Sequence, residues 1–171
     1  MRKYLLRYIL ILFFALMLLP IVACSKNQET KLTIEAKISK VSKNEFNEIN
    51  AKAFDSPTIE DFRKFTFNLD IKQSNEVTSR KIVIPSSEEL VKVINTIDKV
   101  RVLNGTAGEQ DNKGEKFALY KNEFVYYSKG LSNDELRKAL RSKIVIVSWV
   151  TKEGKIITKK FNIGNLIKFN N

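Results

Sequence analysis

Carboxylates, lysines and tyrosines are the groups with which this chain could do chemistry, because it contains no histidine and a single cysteine, Cys24. Without histidine a Ser-His-Asp or Cys-His nucleophile cannot be assembled. Zinc sites built from histidine and cysteine lack their ligands. No Ser-x-x-Lys and no Gly-x-Ser-x-Gly occurs, so a serine nucleophile has no motif either. What remains is a carboxylate pair working as in glycoside hydrolysis. Glu88-Glu89 and Asp134-Glu135 are adjacent acids, but each pair ends a Ser-x-x-Glu tetrad, the signature of a helix start. The chain is therefore not expected to be an enzyme, with a cell-wall hydrolase using carboxylates as the alternative.

Three segments have the composition of binding surfaces. Asn104 to Lys116, NGTAGEQDNKGEK, holds three of the six glycines and reads as an exposed loop. Glu109, Asp111 and Glu115, assisted by Asn112, could offer oxygen ligands to calcium. Their spacing departs from the EF-hand pattern, and the Lys-Ser/Thr ending of a P-loop is missing. No metal and no cofactor is expected there; the segment reads first as a plain solvated loop and next as a partner contact through Glu109 and Asp111. Phe124-Val125-Tyr126-Tyr127 alternates, with Phe124 and Tyr126 on one face and Val125 and Tyr127 on the other. One face should be core, and Tyr126 is a candidate for stacking on a sugar or peptide. Lys152, Lys155, Lys159 and Lys160 fall on one hairpin, where lysines either block strand-edge aggregation or present a docking surface for an anionic partner.

The elements that must position these groups are mostly strands. Apolar and polar residues alternate over 32–38 and 64–71, the period of a half-buried strand, and 77–84 and 156–163 read as returning strands. The runs 64–71 and 77–84 read as a hairpin across 73–76. Residues 117–120 and 123–128 are aromatic and strand-like, and 100–103 is a short strand. Ile144 to Val150, IVIVSWV, is apolar on both faces and predicts a central strand covered on each side, with Trp149 as a core anchor. Gly154 suits the turn into 156–163. Helices are expected from the Ser86 and Ser132 capping boxes, over 87–98 and to about Arg141. Residues 42–61 read as a loop with a helical turn, and 164–171 as a tail. About seven strands and two short helices give a mainly β fold, an immunoglobulin-like β-sandwich with helices in the connections. The alternative is an α+β fold with both helices packed on one antiparallel sheet.

The amino terminus is different in kind. Arg2, Lys3 and Arg7 precede an apolar run, Tyr8 to Leu19, that is short for a membrane span of about 20 residues. Pro20 ends it. Ile21-Val22-Ala23-Cys24 then resembles the lipobox of bacterial lipoproteins, with Ile and Val standing where Leu and Ala or Ser are commoner. The resemblance covers the first 24 residues. It implies cleavage between Ala23 and Cys24, a covalent diacylglycerol on the Cys24 thiol, and anchoring on the extracytoplasmic face of the cell membrane. The rest of the chain is similar in kind to other small lipoproteins and carries no motif of a named family.

Removing residues 1–23 from 171 leaves 148, enough for a short lipidated tether over 24–30 and one domain over 31–171. That remainder has 27 basic and 19 acidic side chains, net +8. The charge suggests an anionic envelope polymer or lipid as one partner class and an envelope protein as the other. Nucleic acid is not expected, since neither the location nor any motif supports it. The expected function is a membrane-anchored, non-enzymatic binding module. A solute-binding lipoprotein is a further alternative, weakened because the usual two-lobed fold needs more chain.

Overall fold

In the computed structural model, which describes residues 29–51 and 54–170, the alternating segments become strands of two stacked sheets. The expected leader, the Ala23–Cys24 cleavage point and most of the tether lie outside the described residues. Strand β2 (Phe62–Lys72) shows why two layers form. Its inward residues Phe65, Phe67, Leu69 and Ile71 are buried, while Lys64, Thr66, Asn68 and Asp70 point outward. Each such ring or aliphatic chain contributes about 1.5–3 kcal/mol on burial. Strand β1 (Lys31–Lys40) pairs with β2 so that Ile38 meets Phe65 and Ala36 meets Phe67. On the other side β5 (Phe117–Tyr127) sets Phe124 opposite Phe65, with ring centroids 4.7 Å apart.

The first sheet has the order β4-β5-β2-β1-β8, where β4 is Val102–Gln110 and β8 is Ile167–Asn170. The second has the order β3-β6-β7, formed by Val77–Val83, Ile144–Thr151 and Ile156–Asn162. Five and three strands make the expected β-sandwich, one strand larger than the four and three of an immunoglobulin constant domain. Val145, Val147 and Trp149 of β6 join the core. Helices α2 (Ser87–Asn95) and α3 (Asn133–Leu140) add Leu90, Ile94, Leu136 and Leu140. Both helices start at the expected capping boxes, Ser86 with Glu89 and Ser132 with Glu135.

Several local expectations are corrected. Residues 73–76 do not close a hairpin; they carry the chain from one sheet to the other. The Ser74 amide donates to Thr30 Oγ1 at 3.2 Å and the Gln73 amide to the Lys116 carbonyl at 2.7 Å, on the first sheet. The Glu76 carbonyl accepts from the Lys152 amide at 2.8 Å, on the second. The 117–120 and 123–128 runs are one strand, interrupted in pattern by inward-facing Asn122, whose Nδ2 donates to Ser87 Oγ at 2.6 Å. Residues 43–48 form helix α1, which with Ile49 and Phe54 covers Phe62, Val125 and Tyr127 on the outer face of the first sheet. Strand β6 is covered on one face only, and Ile144 is 47% exposed on the other. The expected tail is helix α4 (Ile163–Leu166) followed by β8, which pairs in parallel with β1. Gly164 lets α4 lie flush on α3, since a Cβ there would come within 2.8 Å of the Arg141 amide nitrogen.

Candidate functional site

A sandwich of two open sheets has four free edges, and three of these are blunted. Strand β3 carries Arg80 and Lys81 and a register shift between Val77 and Ser79. Strand β7 carries Lys159 and Lys160, and β8 is four residues long. Strand β4 is the exception. It has nine residues with Glu109 as its one charged side chain, and no lysine or proline. Asn104 to Gln110 are exposed in seven consecutive positions. Exposure at both parities means that β4 projects past the narrower second sheet, with neither face covered. Among the described residues it pairs with β5 alone.

This strand replaces most of the loop expected over 104–116; the true loop is 111–116. Glycines were the misleading signal. Gly105 serves close packing, not a turn: a Cβ there would lie 2.7 Å from the Glu123 carbonyl oxygen and 2.8 Å from Phe124 Cβ. At Gly108 a Cβ would meet nothing within 4 Å, so this glycine leaves open space.

The small residues of β4 leave three hollows along it. On the outer face one of about 220 Å³ lies at Asn104–Thr106, bounded by Glu45, Glu48, Lys64 and Glu123. A second outer hollow of about 460 Å³ lies at Gly108–Gln110, beside Asn68, Asp70 and Leu119. On the inner face one of about 520 Å³ lies between Ala107–Glu109 and the apolar run Ile82–Pro85, floored by Phe67 and Tyr120. The inner hollow is chiefly apolar; the first outer hollow is lined by carboxylates, and the second is mainly apolar with Asp70 beside it.

Charge on this flank opposes that of the whole chain. Five carboxylates, Glu45, Glu48, Asp70, Glu109 and Glu123, stand against Lys64 and Lys121, leaving −3. Lys64 Nζ lies 2.9 Å from Glu45 and 3.5 Å from Glu123, and Lys121 Nζ lies 3.1 Å from Glu123. Glu48, Asp70 and Glu109 have no ion pair among the described residues. Asp70 Oδ1 is buried with no hydrogen-bond donor. Glu45 accepts the Ser42 amide at 2.9 Å, and that bond, with Lys64 next, holds its carboxyl down to about 2. Glu45 and Glu123 flank one lysine in one hollow, the arrangement nearest to a two-carboxylate cleft. A glycosidase needs a carboxyl kept protonated near neutrality, and Glu45 is the reverse.

Both ends of β4 are fastened by arginines that sequence reasoning missed. Arg101, 1% exposed, grips Asp98 with two 2.6 Å bonds and donates to the carbonyls of Tyr127 at 2.8 Å and Lys129 at 3.1 Å. Arg80 Nε donates to Asp111 Oδ1 at 2.8 Å, its Nη2 also bonds that oxygen, and Nη1 donates to the Glu115 carbonyl at 2.7 Å. The Tyr120 hydroxyl donates to Asp111 Oδ2 at 2.6 Å, and burial together with that carboxylate pushes the phenol up. The available signal was strand parity, because Arg80 shares the inward register of Ile82. No family, curated protein or solved structure matches this chain.

The expected contact residues scatter. Glu109 lies on the open edge and Asp111 is engaged at its end by Arg80 and Tyr120. Tyr126 is withdrawn as a contact: it is 2% exposed in the core, and its face is the buried one because α2, α3 and the second sheet close over it. Lys152 lies 3.4 Å from Glu76, and Lys155 is exposed in the β6–β7 turn. Lys159 Nζ lies 5.6 Å from the Trp149 ring centroid on the opposite edge of the second sheet. In the 111–116 loop Asn112 Nδ2 bonds Glu115 at 3.2 Å, and no group of three or more metal-ligating side chains is assembled among the described residues.

Proposed function

We propose that the chain is a lipid-anchored, non-enzymatic binding module of the bacterial cell envelope, and that the β4 flank holds its partner. The observation that carries this reading is the contrast of edges. An exposed strand edge without lysine, proline or a bulge is a liability that folded proteins blunt, and this protein blunts its other three while leaving the last seven residues of β4 bare between two arginine-fastened ends. The lipobox at Ile21-Val22-Ala23-Cys24 supports the anchor, with diacylglycerol on Cys24 and the domain on the extracytoplasmic face. The acidic flank favours an envelope protein over an anionic polymer as the occupant of this edge.

Two measurements test the proposal. Cys24→Ser should abolish incorporation of labelled palmitate and leave the chain at precursor size, and continued incorporation would remove the anchor. A photo-reactive residue at Gln110, in cells, should give a recurrent protein adduct that the same residue at Lys159 does not give. Equal labelling from both positions, or none from Gln110, would remove β4 as the binding surface.

A further inference from the structure

The exposed edge of β4 has a chemistry that narrows its partner. A strand edge presents backbone N–H and C=O groups that need partners, and an added strand satisfies them while flanking hollows select alternate side chains. We infer that β4 binds by strand addition an extended polypeptide segment, apolar on one face and basic on the other. This rests on the reading of the β4 flank as a binding surface and specifies its occupant.

Two faces set the pattern. Side chains of an added strand alternate with period two. Those on the inner side would enter the hollow beside Ile82, Ile84, Pro85 and Tyr120, which rewards Val, Ile or Leu. Those on the outer side would face the carboxylates of the outer hollows, among them Asp70, whose Oδ1 lacks a donor. That rewards Lys or Arg. Gly108 and Ala107 are short enough for these side chains to reach over β4 onto β5. The same charges weigh against a second copy of this chain as occupant, because pairing β4 with β4 would bring two flanks of −3 together. Seven exposed residues set the length of segment that can be held.

The probe is a seven-residue peptide alternating Val and Lys, compared with a Val/Glu peptide of the same length, added to the isotopically labelled, detergent-solubilised mature protein. The Val/Lys peptide should slow amide exchange within residues 103–110 and bind at least about tenfold more tightly than the Val/Glu peptide. Ala107→Lys, which puts a blunting lysine on the edge, should abolish that protection. Asp70→Asn with Glu48→Gln, both on the outer face, should narrow the preference between the peptides. Equal binding of both peptides, absence of protection at 103–110, or a dimer joined through β4 would overturn strand addition by a basic segment. A protein adduct from Gln110 alongside such a result would leave the binding-surface reading standing and remove only the mode. Loss of both would remove the two together.

Discussion

Replacing two glycines three residues apart on β4 with alanine should move stability in opposite directions. At Gly105 the new Cβ would lie 2.7 Å from a backbone oxygen and 2.8 Å from Phe124 Cβ. Neither atom is the free end of a flexible side chain. Phe124 is also stacked on Phe65 at 4.7 Å in the core, so relief requires β4 to move off β5. Overpacking of this kind costs about 1–3 kcal/mol. At Gly108 the Cβ meets nothing within 4 Å, and this residue is not among those with positive φ. Alanine there restricts the unfolded chain without strain, which stabilises by about 0.4–1 kcal/mol. The two variants should therefore differ by about 1.5–4 kcal/mol, or several degrees in melting temperature at about 2–4 °C per kcal/mol. Urea unfolding with an unchanged slope measures both. Destabilisation of the two variants to the same extent would refute the register of β4 on β5, because that register alone distinguishes the two positions.

Arg101→Ala should cost about 3–5 kcal/mol in the same assay, since it strands the Tyr127 and Lys129 carbonyls as well as Asp98. Asp98→Asn should cost clearly less than Arg101→Ala, because the Asp98 side chain is 46% exposed; equal losses in the two variants would show that the ion pair, not the carbonyl contacts, fastens β4. Glu45 is held down to about 2 against an ordinary 4.5, so its contribution is present above about pH 4.5 and is lost as pH falls toward 2. Glu45→Gln should flatten the urea-measured stability between pH 5 and 3 relative to the parent, and an unchanged slope there would refute the role of the Ser42 and Lys64 bonds.

The strands of the core were legible because burial on one face forces period two. Phe65, Phe67, Leu69 and Ile71 could belong to nothing but a half-buried strand. The capping boxes at Ser86 and Ser132 were equally local and equally readable. Strand β4 was not, because its residues face solvent on both sides and carry no apolar pattern to betray a face. Its strand state comes from tertiary pairing with β5. Asn122 split β5 for a related reason: a polar residue satisfied by Ser87 looks, in one dimension, like a break. The 64–84 hairpin failed because alternation reports faces and not partners, so β2 and β3 could not be assigned to different sheets from pattern alone. Tyr126 failed because Val125 and Tyr127, on the opposite face, are buried as well, packed with Val41, Phe46, Ile49 and Phe54.

Charge placement ties the edge to the rest of the molecule. The described chain enters β1 beside the 73–76 connection, where Thr30 holds Ser74. The 111–116 loop and the β6–β7 turn lie at that same end, joined to the connection through Lys116 and Glu76. Lys31, Lys72, Lys113, Lys116, Lys152 and Lys155 lie at this end together with Glu76, Asp111, Glu115 and Glu153, and under the proposed anchor a lipid on Cys24 would hold this end against the headgroups. A separate group of carboxylates lies along β4, which runs from Arg101 at the far end to Asp111 at this end, a rise of about 30 Å for nine residues. Exposed charges further apart than about 8 Å are largely screened from one another at physiological salt. The net positive charge of the chain and the local negative charge of the edge can therefore act on different surfaces. Net charge alone points to an anionic partner; the five carboxylates around one unblunted strand are what the proposed basic segment would meet.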